Sequence, residues 1–259
     1  MFTIFGCQYD IAWEDREANY AKVRSLIEAK AEAIPSGSLI VLPEMFATGF
    51  SMNVKLVADP SELPSVEFLK SIAAERESAV MGGVVTHSEI RPGWGRNEMQ
   101  AFSPQGEQLV RYQKIRTFRY TREFDHFERG WEVVTFDWGG IKICPLICYD
   151  LRFPELFRRG VSESGAEVFV VIASWPSVRV EHWLALLRAR AIENLAYVVG
   201  INRCGADPNH DYPGRSVVFD PQGELIADAG EGEGILRAEI DPEVVREWRA
   251  EFPALKDLL

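Results

Sequence analysis

The run Leu39-Ile40-Val41-Leu42 is apolar at every position and is stopped by Pro43. Successive side chains of a strand point to opposite faces, so a strand with one wet face alternates apolar and polar residues. A strand with no polar member needs both faces covered. Residues 167–173 (Glu-Val-Phe-Val-Val-Ile-Ala) carry a second run of this kind. Such strands demand a sheet clothed on both sides, and helix-period segments able to clothe it stand between them. Residues 14–33 place Tyr20, Val23, Ile27, Ala31 and Ile34 at three-to-four spacing, and residues 62–76 do the same with Val66, Leu69 and Ile72. Further helices are expected over 180–196 and from Pro242, with Asp241 as N-cap.

Strands are expected at 2–7, 79–86, 97–103, 107–113, 131–136, 141–147, 197–202, 217–219 and 224–227. Alternation of the two kinds argues for an α/β fold. No Pro/Gly/Ser linker interrupts the chain, so residues 1–259 read as one domain. One echo is internal: Phe102-Ser-Pro-Gln-Gly-Glu107 resembles Phe219-Asp-Pro-Gln-Gly-Glu224. Either two hairpins use the same favourable turn, or the chain has two similar halves.

The net charge is −11, with no basic cluster, which argues against nucleic acid and anionic membranes as partners. No charge-free run exceeds eleven residues, well short of the ~20 apolar residues of a bilayer span. The N-terminal Met1-Phe2-Thr3-Ile4-Phe5 lacks a basic n-region and reads as a strand rather than a secretory signal. Four cysteines in 259 residues do not make a disulfide scaffold, and a reducing cytoplasm is the expected setting.

Phosphate loops, dinucleotide fingerprints and Gly-x-Ser-x-Gly elbows are absent, and the four histidines are isolated. The informative residues lie just past strand ends. Glu44 follows the Leu39–Leu42 strand and Pro43, a partly desolvated place suited to proton transfer. Cys148 follows Ile143-Cys144-Pro145-Leu146-Ile147, at a strand-to-loop switch where open α/β sheets bind ligands. It can serve as a nucleophile if something holds it as thiolate, or it can be a buried small apolar residue. Lys114 ends the strand after the first Pro-Gln-Gly turn, and its ammonium could lower a thiol pKa and stabilise an oxyanion. A carboxylate, an ammonium and a thiol thus each follow a separate apolar strand. Cys144 and Cys148 stand about 13 Å apart along one strand, too far for a disulfide. No close Cys pair suggests zinc.

Leu42-Pro43-Glu44, Lys114 and Cys148-Tyr149-Asp150-Leu151-Arg152-Phe153-Pro154-Glu155 resemble the three signature blocks of the nitrilase superfamily, C–N hydrolases with a Glu–Lys–Cys triad. Arg188-Ala-Arg190-Ala-Ile-Glu193-Asn194, Asn202-Arg203-Cys204-Gly205 and Gly214-Arg-Ser216 resemble its later blocks, so the likeness spans nearly the whole chain. It implies a four-layer α-β-β-α sandwich of two mixed sheets with helices outside, and protomers paired into a homodimer or larger assembly. It also implies a second glutamate, upstream of the cysteine block, for which Glu123 fits by position. Leu42 to Met52 and Ala173-Ser-Trp175-Pro176 resemble the omega-amidase group, which hydrolyses the terminal amide of 2-oxo dicarboxylic acid monoamides. One segment departs from that group: Arg116-Thr117-Phe118 stand where a His two residues after the lysine, then Leu-Phe, are common.

On this resemblance Cys148 attacks the amide carbon, Glu44 moves protons, and Lys114 with the Tyr149 backbone N–H holds the oxyanion. A thioester on Cys148 is then hydrolysed by water. Glu123 orients Lys114 or the substrate amide, and neither metal nor organic cofactor is needed. Arg116, Phe118 and Trp175 are the expected substrate contacts, Arg116 pairing with a substrate carboxylate. Arg152 is expected to pair with Glu155. The alternatives are another C–N hydrolase of the superfamily (a carbamoylase, a deaminated-glutathione amidase or a nitrilase) and, more remotely, a thiol redox or binding protein.

Overall fold

The structure is a computed structural model and describes residues 1–258. In chain order it contains β1 (Phe2–Gln8), α1 (Arg16–Glu28), β2 (Leu39–Val41), α2 (Val54–Val57), α3 (Pro64–Arg76), β3 (Ala79–His87), β4 (Gly95–Phe102), β5 (Gln108–Gln113) and β6 (Phe127–Glu128). It continues with β7 (Phe136–Trp138), β8 (Ile141–Ile147), α4 (Pro154–Ser164), β9 (Val168–Ala173), α5 (Val180–Asn194), β10 (Tyr197–Asn202), β11 (Cys204–Ala206) and β12 (Asp211–Pro213). It ends with β13 (Val217–Phe219), β14 (Leu225–Asp228), β15 (Gly234–Ile240) and α6 (Pro242–Glu251).

Two large mixed sheets form the centre, one in the order β15-β1-β2-β3-β4-β5 with β6 against β4, the other β14-β13-β10-β9-β8-β7. Alternation along β2 shows why its residues are all apolar. Leu39 and Val41 join the cluster that extends into the second sheet, with Ile4, Met81, Ile143 and Ile172. Ile40 and Leu42 join the cluster formed with Val23 and Ile27 of α1 and with Val66, Leu69 and Ile72 of α3. The second sheet is clothed in the same way: Phe157 of α4 meets Phe169 of β9, with ring centroids 4.9 Å apart. The layers therefore run helix, sheet, sheet, helix, as the family resemblance implies.

The two sheets share one connectivity. β1, β2 and β3 are mutually parallel, β4 and β5 then run antiparallel, and β15 flanks β1 antiparallel. In the second sheet β8, β9 and β10 are parallel, β13 and β14 follow antiparallel, and β7 flanks β8 antiparallel. The repeated Pro-Gln-Gly turn closes β4–β5 in one sheet and β13–β14 in the other. It places Gly106 and Gly223 at φ near +80°, where a side chain is strained. The internal echo thus marks two similar halves and not merely a favoured turn.

The sequence expectation misses α2, α4 and the short strands β6, β11 and β12, and it misplaces some boundaries. The first helix ends at Glu28, well before residue 33, with Asp15 as N-cap accepting from the Ala18 N–H. The strand expected over 131–136 is found displaced, as the three residues of β7, of which only Phe136 falls in that range. Upstream of them the chain has no ladder partner, and the exposed Trp131 instead lies under the Arg129 guanidinium, 3.9 Å away. Pro242 opens the last helix, and Asp241 caps it by accepting from the Glu243 N–H.

One glycine sets the path of a functional loop. A Cβ at Gly83 in β3 would stand 2.6 Å from the Met45 nitrogen and 2.7 Å from the Glu44 Cα, both backbone atoms that cannot swing aside. The loop after β2 therefore rests directly on β3, with the Phe46 N–H donating to the Gly83 carbonyl at 3.1 Å. At neighbouring Gly82 a Cβ would meet only side chains, none nearer than 3.1 Å. Gly83→Ala is expected to cost about 1–3 kcal/mol of stability, and Gly82→Ala less. Shifts in urea-denaturation midpoint check the order.

Candidate active site

Three strand ends and one loop converge between the sheets. Glu44 follows β2, Lys114 follows β5, and Glu123 sits in a short turn beyond Lys114; all three side chains are essentially excluded from solvent. The Lys114 Nζ donates to Glu44 Oε1 at 2.8 Å and to Glu123 Oε1 at 3.1 Å. Asn97 of β4 repeats this pattern through its Nδ2, donating to the same two oxygens at 2.8 and 3.1 Å. Glu44 Oε2 accepts from the Ser174 N–H at 2.9 Å, just past the end of β9, and Glu123 Oε2 accepts from the Phe118 N–H. Burial pulls down on the Lys114 ammonium, but the carboxylates of Glu123 and Glu44 outweigh it and hold its pKa above the usual lysine value.

Cys148 follows β8 at φ +47°, a left-handed backbone that a non-glycine residue adopts at a cost of about 1–3 kcal/mol. The chain then enters a turn of 3₁₀ helix, Cys148–Arg152, held by Asp150. The Asp150 carboxylate accepts from the Ile147 N–H at 3.0 Å, the Tyr112 hydroxyl at 2.7 Å and the Arg116 N–H at 2.8 Å. Burial pushes the Asp150 carboxyl up to about 6, against the pull of those donors. Tyr149 lies in the first turn of this short helix, where amides have no carbonyl partner within the helix.

Burial also pushes the Cys148 thiol well above the ordinary value; Glu44 adds to the rise, while Lys114 opposes it. Burial is the larger cause, and the nearby carboxylates of Glu44 and Glu123 add to it. Lys114 thus favours the thiolate by charge, as expected, but burial and the Glu44 carboxylate act against it.

Cys148 opens on a cavity walled by Phe50, Phe118, Tyr149, Trp175, Pro176 and Tyr212, with Arg152, Arg179, Ser174, Thr121 and His210 between them. Phe118 and Trp175 stand where the sequence predicts. Arg116 does not. Its guanidinium donates to Glu155 at 2.8 Å and lies over the Phe153 ring, outside the cavity. Arg152 instead lines the cavity, stacked on Trp175 at 4.9 Å, with one N–H on His182 Nδ1 at 3.3 Å. The expected Arg152–Glu155 pair is thus replaced by Arg116–Glu155. The helical turn after Cys148 carries Arg152 round to the Cys148 side, and an extended-chain reading of the motif misses this rotation. Asn97, Asp150 and Arg179 escape the sequence reading altogether. Asn97 is one polar residue inside a strand, Arg179 one of many arginines, and only the quoted Cys148-Tyr149-Asp150 block pointed near Asp150. The four cysteines are free, and among the described residues no group of three His, Cys, Asp or Glu side chains is placed to share a metal ion.

The chain matches known proteins along nearly its full length. The carbon-nitrogen hydrolase family model covers residues 6–250. A Yersinia enterocolitica protein named omega-amidase YafV is 37% identical, over 96% of this chain and 94% of the relative. A Bacillus subtilis 2-oxoglutaramate amidase is 33% identical, over 99% and 97%. Among solved structures, XC1258 of Xanthomonas campestris, a CN-hydrolase superfamily protein, superposes with a TM-score of 0.91 at 33% identity, covering 100% of this chain and 97% of the other. Saccharomyces cerevisiae Nit3, of branch 10 of the nitrilase superfamily, gives 0.88 at 29% identity, covering 97% and 94%. With a buried glutamate–lysine–glutamate cluster beside a strand-end cysteine and this likeness from end to end, the chain belongs to the carbon-nitrogen hydrolase family of the nitrilase superfamily.

Proposed function

We propose that this hydrolase is an omega-amidase, cleaving the terminal amide of short 2-oxo dicarboxylic acid monoamides such as 2-oxoglutaramate to the acid and ammonia. The observation that carries the reaction type is the Lys114 ammonium held between Glu44 and Glu123 beside Cys148. The substrate class is supported by the names of the relatives and by the cavity itself. Arg152 and Arg179 line it, and neither has a carboxylate partner within 4 Å among the described residues. Two guanidinium groups without a carboxylate partner, in a chain of net charge −11, suit the distal carboxylate and 2-oxo group of such a substrate.

Cys148 gives its proton to Glu44 as sulfur attacks the amide carbon. The negative charge lost at Glu44 reappears on the tetrahedral oxygen, where Lys114 and the Tyr149 N–H stabilise it. One such donor is typically worth about 3–4 kcal/mol. The C–N bond breaks as Glu44 passes its proton to the leaving nitrogen, and ammonia departs from a thioester on Cys148. Glu44 then takes a proton from water, whose oxygen attacks the thioester. The acid leaves, and the proton returns to the Cys148 sulfur. Glu123 and Asn97 hold Lys114 and Glu44 in register throughout.

This reading extends to assembly and setting: a homodimer or larger oligomer in a reducing cytoplasm. Light scattering is expected to return a mass at least twice the 29.3 kDa of one chain.

Three outcomes test the chemistry. Cys148→Ala is expected to abolish ammonia release while keeping the fold, whereas Cys144→Ala, altered behind the sheet, retains substantial activity. Intact-mass spectrometry during turnover should show an acyl adduct on the wild-type chain and none on Cys148→Ala. Glu44→Gln keeps the side-chain shape but cannot accept a proton, so acylation and deacylation are both expected to slow about 10²–10⁴-fold in single-turnover assays. Thioester accumulation at the wild-type rate would confine Glu44 to deacylation. Arg152→Gln and Arg179→Gln are expected to raise KM for 2-oxoglutaramate roughly 10–100-fold, and much less for a neutral amide of similar size. Arg116→Ala should affect both substrates alike. Preferential turnover of N-carbamoyl amino acids or nitriles would overturn the substrate class and leave the Cys148 chemistry standing.

A further inference from the structure

Tyr149 separates two cavities. One is the Cys148 cavity; the other, of about 480 Å³, shares Tyr149 in its wall and is lined by Arg91, Arg116, Arg119 and Arg129. Its volume falls in the range of small-molecule sites. Four guanidinium groups converging on one bay are unexpected in a chain of net charge −11. Charge neutralisation within the fold does not account for them: Arg91, Arg119 and Arg129 have no carboxylate within 4 Å among the described residues. The fourth, Arg116, pairs with Glu155 through one terminal nitrogen, while its buried Nε has no partner among the described residues.

Each arginine also sits over an aromatic ring. Arg91 lies over Trp94 at 3.7 Å, Arg116 over Phe153 at 4.8 Å, Arg119 over Phe124 at 5.3 Å and Arg129 over Trp131 at 3.9 Å. An aromatic face under a guanidinium restrains its plane and leaves the N–H edge free for planar, bidentate pairing with an oxyanion. Restraint in advance lowers the ordering cost of binding.

We propose that this bay is a second ligand site, separate from the Cys148 cavity, for a small oxyanion carrying at least two negative charges, phosphoryl or polycarboxylate. The Arg116 N–H holds Asp150 and Tyr149 forms the shared wall, so the ligand would sit against the turn that carries Cys148.

Isothermal titration of the whole protein with inorganic pyrophosphate, citrate and chloride tests the site. Saturable binding of pyrophosphate, of citrate or of both is expected, with none for chloride and with affinity falling as salt rises. The preferred anion distinguishes phosphoryl from carboxylate chemistry. The double variant Arg91→Gln/Arg129→Gln changes only exposed side chains outside the Cys148 cavity. It is expected to weaken this binding about tenfold or more while leaving amide turnover without added anion unchanged. Arg152→Gln, altered in the other cavity, should bind as wild type. Three results would overturn the proposal: no saturable binding of either polyanion, binding untouched by the double variant, or binding lost with Arg152→Gln. An oligomer that dissociates in the double variant, with no polyanion binding in the wild type, would reassign the bay to contact between copies of the chain.

Discussion

The Lys114 ammonium, buried between Glu44 and Glu123, is the interaction on which the rest of the site depends. Taking an ammonium and two carboxylates out of water is tolerable only if their charges and hydrogen-bonding groups meet one another. The surroundings satisfy this almost fully, through Asn97 on the inner oxygens and the Ser174 and Phe118 amides on the outer ones. Removing one member would leave an uncompensated buried charge, which typically costs about 3–5 kcal/mol. The cluster is accordingly rigid as well as reactive, and together with burial its carboxylates raise the neighbouring thiol's pKa.

Much of this was legible because strands made of apolar residues are unambiguous. Leu39–Leu42 announced a sheet covered on both faces, and the polar residues directly beyond such strands had few places to be except the sheet ends. Position alone made Glu44, Lys114 and Cys148 candidates, each weak by itself, and the family likeness singled them out as a set. Glu123 was no such candidate, because a glutamate in a short turn looks like surface; only the family likeness pointed to it, and its burial follows from the Phe118 amide folding back over it. Asn97 sits within β4 with neighbours that face other ways, and nothing local distinguishes it. The exchange of partners between Arg116 and Arg152 follows from a turn of 3₁₀ helix that begins at Cys148, a change of period too short to read in five residues. The displacement of the strand expected over 131–136 to Phe136–Trp138 has a similar origin. Residues 131–136 have strand-like composition, but a strand also needs a ladder partner, and that is a property of the whole sheet.

The duplicated connectivity explains where the site's parts come from. β2 and β9 hold equivalent places in their sheets, and the chain just past each supplies one half of a single contact: the Glu44 carboxylate from one, the Ser174 amide from the other. β1 and β8 are likewise equivalent, yet only β8 ends in a nucleophile. Two similar scaffolds have thus been given complementary rather than repeated chemistry.

Glu44 and Lys114 ride on one sheet, Cys148 and Ser174 on the other, and no covalent path shorter than the intervening chain fixes the gap between them. The gap is set by what fills the interior: Ile172 reaches across to Gly83, and Ile201 to Gly6. The hydrophobic core therefore acts as a spacer that gauges the reacting groups. A displacement of about 1 Å in such a geometry can cost about 100-fold in rate. A methyl group added or removed deep between the layers, far from substrate and harmless to folding, would then alter turnover by altering the thickness of the sandwich, so that in this architecture packing volume is itself a kinetic parameter.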